Sequence, residues 1–168
     1  VDFVKGHPLG PNVITMLGHS DLRVGVMGLL RATDRNVVPS ASEIKKMEDL
    51  LEEALEIGFI GLSTMRLKWD KLDGDRAWSK SLPSTYAPWK EISRLNALVR
   101  KFDRVHQGAP NAAAILQVNQ YMRECMGLFK KPLKTTLISR MDLKGSVYLS
   151  KITNIAAQVT NFFRGDFR

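Results

Sequence analysis

The sequence predicts an α/β fold: about four βα units with strands paired in parallel, as in a sector of a TIM-like (β/α) barrel or in a small doubly wound sheet. Three observations carry this expectation. Short apolar runs alternate with stretches striped at helical spacing, and the linkers between them are brief. The apolar runs do not alternate with polar residues, which marks strands covered on both faces. Turn residues punctuate each transition. The pattern alone does not choose between the two architectures.

The elements follow in order. Residues 13–17 (VITML) read as a strand that ends at Gly18-His19-Ser20. Ser40-Ala41-Ser42-Glu43 is a capping box, followed by Ile44, Met47, Leu51, Ala54 and Leu55 at helical spacing and by Gly58 as a stop. Residues 59–65 (FIGLSTM) then read as a buried strand. Pro88 opens a helix with Ile92, Leu95, Leu98, Val99, Phe102 and Val105 on its apolar face, ended by Gly108 and Pro110. Residues 112–118 read as the third strand. Tyr121, Met122, Cys125, Met126 and Phe129 suggest a short helix halted by Pro132, residues 133–138 a fourth strand, and Leu149 to Phe163 a last helix.

Composition bounds the class. The chain has 168 residues, 44% hydrophobic and 25% charged, which sets the prior at one domain and excludes disordered, collagen-like and disulfide-scaffold proteins. Its lone cysteine, Cys125, fits a reducing compartment. No apolar run reaches the roughly 20 residues that span a bilayer, so the expectation is a cytoplasmic protein with no membrane partner. The net charge of +8 is uneven: residues 1–89 carry 11 basic and 12 acidic side chains, residues 90–168 carry 14 and 5. The second half could therefore serve a non-catalytic basic module that binds nucleic acid or an acidic partner. An RNA-recognition sheet would need aromatics on adjacent strands, and none is seen.

In either architecture ligands bind beyond the carboxyl ends of the strands. That rule selects His19, Ser20 and Asp21 after the first strand, and Thr64, Met65 and Arg66 after the second. After the third come Gln117 and Asn119, and after the fourth Ser139, Arg140, Asp142 and Lys144. His19 suits proton transfer or metal ligation, but a structural histidine at the mouth has slightly greater weight. Arg66 and Arg140 suit a carboxylate held bidentately. With His7, His19 and His106 as the only histidines and no His-x-His pair, a complete zinc site is not expected within the chain. His106 is placed near a helix C-terminus, where a cation is favoured. The long segment 67–88, with Trp69, Trp78 and Tyr86 and with Trp89 just beyond, reads as a rim loop whose aromatics pack on the barrel top. The less favoured reading is a base-stacking surface.

The residues also suggest a family. Gly18-His19-Ser20-Asp21-Leu22-Arg23 followed by Val26-Met27-Gly28 resembles a Val-Gly-His-Ser-x-Leu-Arg-x-x-x-Met-Gly stretch of N-acyl-D-amino-acid deacylases, in the amidohydrolase superfamily. Met47 through Gly58 and Gly61-Leu62-Ser63-Thr64 look like that family's helix into its Gly-x-Ser-Thr strand. Arg66, Asp73-Gly74, Leu82 through Ala87 and Glu91 look like the loop that follows. The resemblance runs from about Asn12 to Leu98. It implies a central slice of a distorted barrel, with zinc or another divalent metal in the parent enzyme and a small-molecule N-acyl amino acid as substrate. In that enzyme a metal-bound hydroxide attacks the acyl carbonyl and an aspartate carries the proton. His19, Arg66, Arg140 and Asp142 would form the substrate rim. The family's His-x-His and aspartate segments are not in this chain, and Leu116-Gln117-Val118-Asn119, Ser139-Arg140 and Trp69 stand where histidines are common. An isolated slice is expected to be inactive and to self-associate through exposed barrel edges.

Overall fold

The computed structural model describes residues 6, 13–111, 115–126, 131–138 and 147–162. Its strands are β1 (Leu17–Gly18), β2 (Gly61–Met65), β3 (Val105–Ala109) and β4 (Lys134–Leu137). The helices are α1 (His19–Met27), α2 (Leu29–Ala32), α3 (Ala41–Glu56), α4 (Trp89–Lys101), α5 (Ile115–Cys125) and α6 (Val147–Phe162), with a 3₁₀ turn at Pro83–Tyr86. The four strands are all parallel and lie in chain order, β1-β2-β3-β4. A doubly wound sheet must reverse its strand order to place helices on both faces. Sequential order with right-handed crossovers stacks every connecting helix on one face. The chain therefore has the fold of a (β/α) barrel sector.

Helix α3 forms where the capping box predicts it. The Glu43 N–H donates to Ser40 Oγ at 3.2 Å, and the Ser40 N–H donates to Glu43 Oε2 at 2.8 Å. Arg31 also pairs with Glu43, and these bonds hold its carboxyl down at about 2. Met47, Leu51, Ala54 and Leu55 face inward, and Gly58 with φ 113° ends the turn. They join Leu22, Met27, Ala32, Leu62, Leu95, Val99 and Leu133 in a core between helices and sheet.

Three expectations are corrected. The third strand is Val105–Ala109, not residues 112–118: positions 112–114 lie outside the described residues, and Ile115 to Val118 open α5. Helix α4 correspondingly stops at Lys101, because Asp103 takes a left-handed φ of 55° that aspartate tolerates, so Gly108 belongs to a strand. A Cβ at Gly108 would come within 2.3 Å of the Tyr121 ring, so the glycine makes room for α5 to pack. Finally, residues 13–16 are not strand: only Leu17 and Gly18 pair with β2, although the Ile60 N–H still donates to the Thr15 carbonyl at 3.0 Å.

The two sheet faces differ. Leu62, Thr64, His106 and Thr135 are buried toward the helices. Ser63, Gln107 and Thr136, which share one row, are half-buried on the opposite face with Met65. A small part of the charge asymmetry is offset within the fold: Arg94 and Lys101 of α4 pair with Glu48 and Glu52 of α3, while Lys131 and Lys134 pair with Asp103 of the same basic half.

Candidate functional site

The carboxyl ends of β1 and β2 deliver His19 and Arg66 to one neighbourhood. His19 begins α1 directly after Gly18 and is wholly buried. Its Nε2 lies 2.8 Å from Glu91 Oε1 and its Nδ1 3.0 Å from Ser84 Oγ. Glu91 stands in the first turn of α4, where the helix dipole favours a carboxylate. Burial pushes the Glu91 carboxyl up, but the hydrogen bond from His19 and the charge and hydrogen bond of Arg23 outweigh it and hold the group below its ordinary range. An ionised carboxylate only accepts, so His19 Nε2 must carry the proton. Burial lowers the His19 pKa and keeps the ring neutral. Nδ1 is then an acceptor for the Ser84 hydroxyl, and Ser20 in turn donates to Ser84 Oγ at 2.8 Å while the Ser84 N–H donates back to Ser20 Oγ at 3.1 Å. Arg23 completes the cluster by donating from NH1 to Glu91 Oε2.

Ser84, His19 and Glu91 thus line up in the order of a nucleophile, base and acid. The chemistry does not follow from the order. Ser84 and His19 are fully enclosed, the one acceptor nitrogen of His19 already takes the Ser84 proton, and further chain could only bury them more. The cluster is a clasp that ties the 3₁₀ turn and the start of α4 to α1. His19 was expected on the substrate rim; in the structure it is enclosed after β1 and engaged through both ring nitrogens.

Arg66 differs. Its backbone N–H donates to the Ala109 carbonyl, extending β2 against β3. Its guanidinium donates to Gln120 Oε1 at 3.3 Å and to the Ala87 carbonyl at 3.2 Å and lies 5.7 Å from the Trp89 ring centre. Both oxygens are neutral, its Nε has no partner among the described residues, and burial lowers its pKa. The residue is 8% exposed. It is a desolvated cation that pairs with no carboxylate among the described residues, and the Glu91 charge acts on it only from beyond ion-pair distance.

Behind the rim, on the helix side, the Thr64 hydroxyl bridges His106 Nε2 at 3.0 Å and the Tyr121 hydroxyl at 2.9 Å, and the two rings stack 5.3 Å apart. His106 is therefore a mid-strand core residue and not a helix-end cation: burial drives its pKa down to about 3. Arg140 and Asp142, with Ser139, Lys144 and His7, lie outside the described residues. Gln117 and Asn119 stand in α5 and not at a strand end. Of the aromatics in and beside the long segment, Trp89 packs edge-on to Tyr121 at 5.0 Å, but Trp69 and Trp78 are 57% and 71% exposed, against the expectation that they cover the barrel top.

Among the described residues no three His, Cys, Asp or Glu side chains group so as to hold a metal. The donors are otherwise engaged: His19 through both nitrogens, His106 through Nε2, and Cys125 Sγ by donation to the Tyr121 carbonyl at 3.1 Å. These described residues do not fit a divalent ion. The sequence reading missed Ser84 and Glu91 as neighbours of His19. The usable signal was an acid in the first turn of a helix opened by Pro88.

No protein-family model matches the chain. Uncharacterised proteins of Mycobacterium tuberculosis and Mycobacterium bovis are 38% identical over 167 residues, covering 98% of this chain and 27% of theirs. A D-aminoacylase of Alcaligenes xylosoxydans xylosoxydans is 42% identical over 66 residues, covering 38% of this chain and 12% of that protein. The crystal structure of N-acyl-D-glutamate deacylase from Bordetella bronchiseptica, complexed with zinc and a phosphonate mimic of the tetrahedral intermediate, superposes with a TM-score of 0.66 at 20% identity. It covers 94% of this chain and 31% of that one. The chain thus spans about a quarter of the length of the mycobacterial relatives it matches.

Proposed function

We propose that this chain is the central βα portion of an amidohydrolase barrel whose whole enzyme hydrolyses the amide bond of N-acyl-D-amino acids or similar linear amides. The observation that carries the reading is the singly wound order β1-β2-β3-β4, which gathers strand ends at one mouth with Arg66, hydrogen-bonded only to neutral oxygens among the described residues, beside them. The likeness to a D-aminoacylase over 66 residues and the structural likeness to a deacylase support it. The 98% span shared with longer mycobacterial proteins supports reading all 168 residues as one segment of that barrel.

In this reading Arg66 and Arg140 hold the substrate carboxylate by charge-assisted N–H···O bonds, and Asp142 accepts a hydrogen bond from the bound molecule. The clasp of His19, Ser84 and Glu91 fixes the 3₁₀ turn and α4, and with them the Ala87 carbonyl and the Trp89 ring that orient Arg66. A divalent metal, zinc in the Bordetella neighbour's complex, belongs to the whole enzyme. The test is release of free amine from N-acyl-D-amino acids, with the L-enantiomers as controls, by the full-length protein. Hydrolysis that weakens mainly through KM in Arg66→Leu is expected; no amine release from any N-acyl amino acid would overturn the reading. The unpaired outer edges of β1 and β4 among the described residues also support self-association of the isolated segment, which size-exclusion chromatography would show and a stable monomer would refute.

A further inference from the structure

We propose that the segment between β2 and α4 determines acyl-group specificity, with Trp69 and Trp78 seating a long or aromatic acyl group while Arg66 holds the carboxylate of the same molecule. This rests on the amide-hydrolase reading and names its substrate class.

The segment has an ordered backbone of its own. Leu72 N–H donates to the Lys80 carbonyl at 2.8 Å and Ser79 N–H to the Leu72 carbonyl at 3.0 Å, around a turn at Gly74. Ser81 locks the base: its hydroxyl donates to the Lys68 carbonyl at 3.0 Å, its N–H donates to the Tyr86 hydroxyl at 3.1 Å, and Lys71 Nζ donates to Ser81 Oγ at 3.2 Å. Leu67, Ala77, Ser81 and Ala87 are buried. These contacts hold Ser79 in a left-handed conformation at φ 59° without help from either exposed indole.

Two of the chain's three tryptophans therefore present more than half of their surface outward among the described residues. Trp69 follows Arg66 by three positions on the same carboxyl-end loop, where barrels bind ligands. The segment's charges nearly cancel: Lys68, Lys71, Arg76 and Lys80 stand against Asp70, Asp73 and Asp75. That balance disfavours a polyanion or an anionic membrane and favours an uncharged apolar group. Arg66, buried, with Nε unpartnered and no carboxylate paired with it among the described residues, has room in its charge balance for a single anion. An acylated acid meets both demands in one molecule.

The experiment compares the N-acetyl and N-decanoyl forms of one D-amino acid by calorimetric binding and by amine release, using the full-length protein. The decanoyl compound is expected to bind at least about tenfold tighter, with that advantage lost in Trp69→Ala or Trp78→Ala and kept in Trp69→Phe. Equal affinity for the two compounds, or no binding of either, overturns the proposal. So does a fall in Tm in the alanine variants with the affinity ratio intact, since the indoles would then serve packing against other chain. Binding selectivity without amine release would refute the hydrolase reading and leave the acyl site standing; amine release without selectivity would do the reverse.

Discussion

Two buried arginines stand near the carboxyl ends of β1 and β2, and their surroundings are opposite. Arg23 donates to Glu91, whose second oxygen takes the His19 proton, so its charge is neutralised within the fold. Arg66, nearly as enclosed, hydrogen-bonds among the described residues only to the neutral oxygens of Gln120 and Ala87. The contrast separates architecture from availability. A buried ion pair whose members are mutually committed fixes the backbone around it, whereas a buried cation without an anion keeps an unmet electrostatic demand.

The sharpest way to break the comparison is Glu91→Leu. It strands Arg23 without a carboxylate and removes the His19 acceptor, and is expected to cost about 3–5 kcal/mol in denaturant unfolding; a loss below about 1 kcal/mol would mean that Arg23 does not depend on Glu91. Gly108→Ala tests the neighbouring His106 cluster, since its methyl must displace the Tyr121 ring, and a loss of about 1–3 kcal/mol is expected. An unchanged Tm would show that the ring moves freely.

Acid sharpens the comparison further. His19 and His106 both have folded pKa values lowered by burial, so below about pH 6.5 the unfolded chain binds protons that the folded one refuses. Stability should therefore be fully present above that pH and fall as pH drops, by about 1.4 kcal/mol per pH unit for each histidine, continuing for His106 until about pH 3. The depressed Glu91 carboxyl adds to the same loss at still lower pH. A flat stability profile between pH 7 and about 5 would contradict the neutral, enclosed state of both rings. The smallest effect is expected at Arg66→Leu, within about 1 kcal/mol of wild type, because removing an unpaired buried charge also removes its desolvation penalty. A loss as large as that of Glu91→Leu would make Arg66 a structural residue.

Much of the fold was legible where a local rule and a tertiary need coincide. Ser40 and Glu43 announce α3 through a bond pattern that closes within four residues, and the apolar run into Ser63-Thr64 becomes β2 because both its neighbours are strands. The misplaced third strand shows the opposite. Phe102 and Val105 continue the α4 stripe on paper, but Asp103 turns the chain, and Val105–Ala109, with His106 and Gln107 in it, looks too polar for a buried strand until Thr64 and Tyr121 are set beside it. Helix α1 escaped notice for the same reason: two of its buried positions are His19 and Arg23, which look solvent-facing without Glu91. At the site, position relative to strand ends pointed to His19 and Arg66, while the partners that distinguish them lie 65 and 72 residues away for His19 and 21 and 54 for Arg66.

The sequence by itself determined the parallel βα alternation, the capped helix and the approach of Arg66 to a strand end, because each follows from side-chain periodicity or from hydrogen bonds between near neighbours. Only the tertiary structure decided that the sheet winds in one direction, that His19 is paired with a carboxylate while Arg66 has no such pair among the described residues, and that Trp69 and Trp78 face outward. Those outcomes depend on which distant groups share a desolvated space, and that proximity is set by the packing of helices on the sheet.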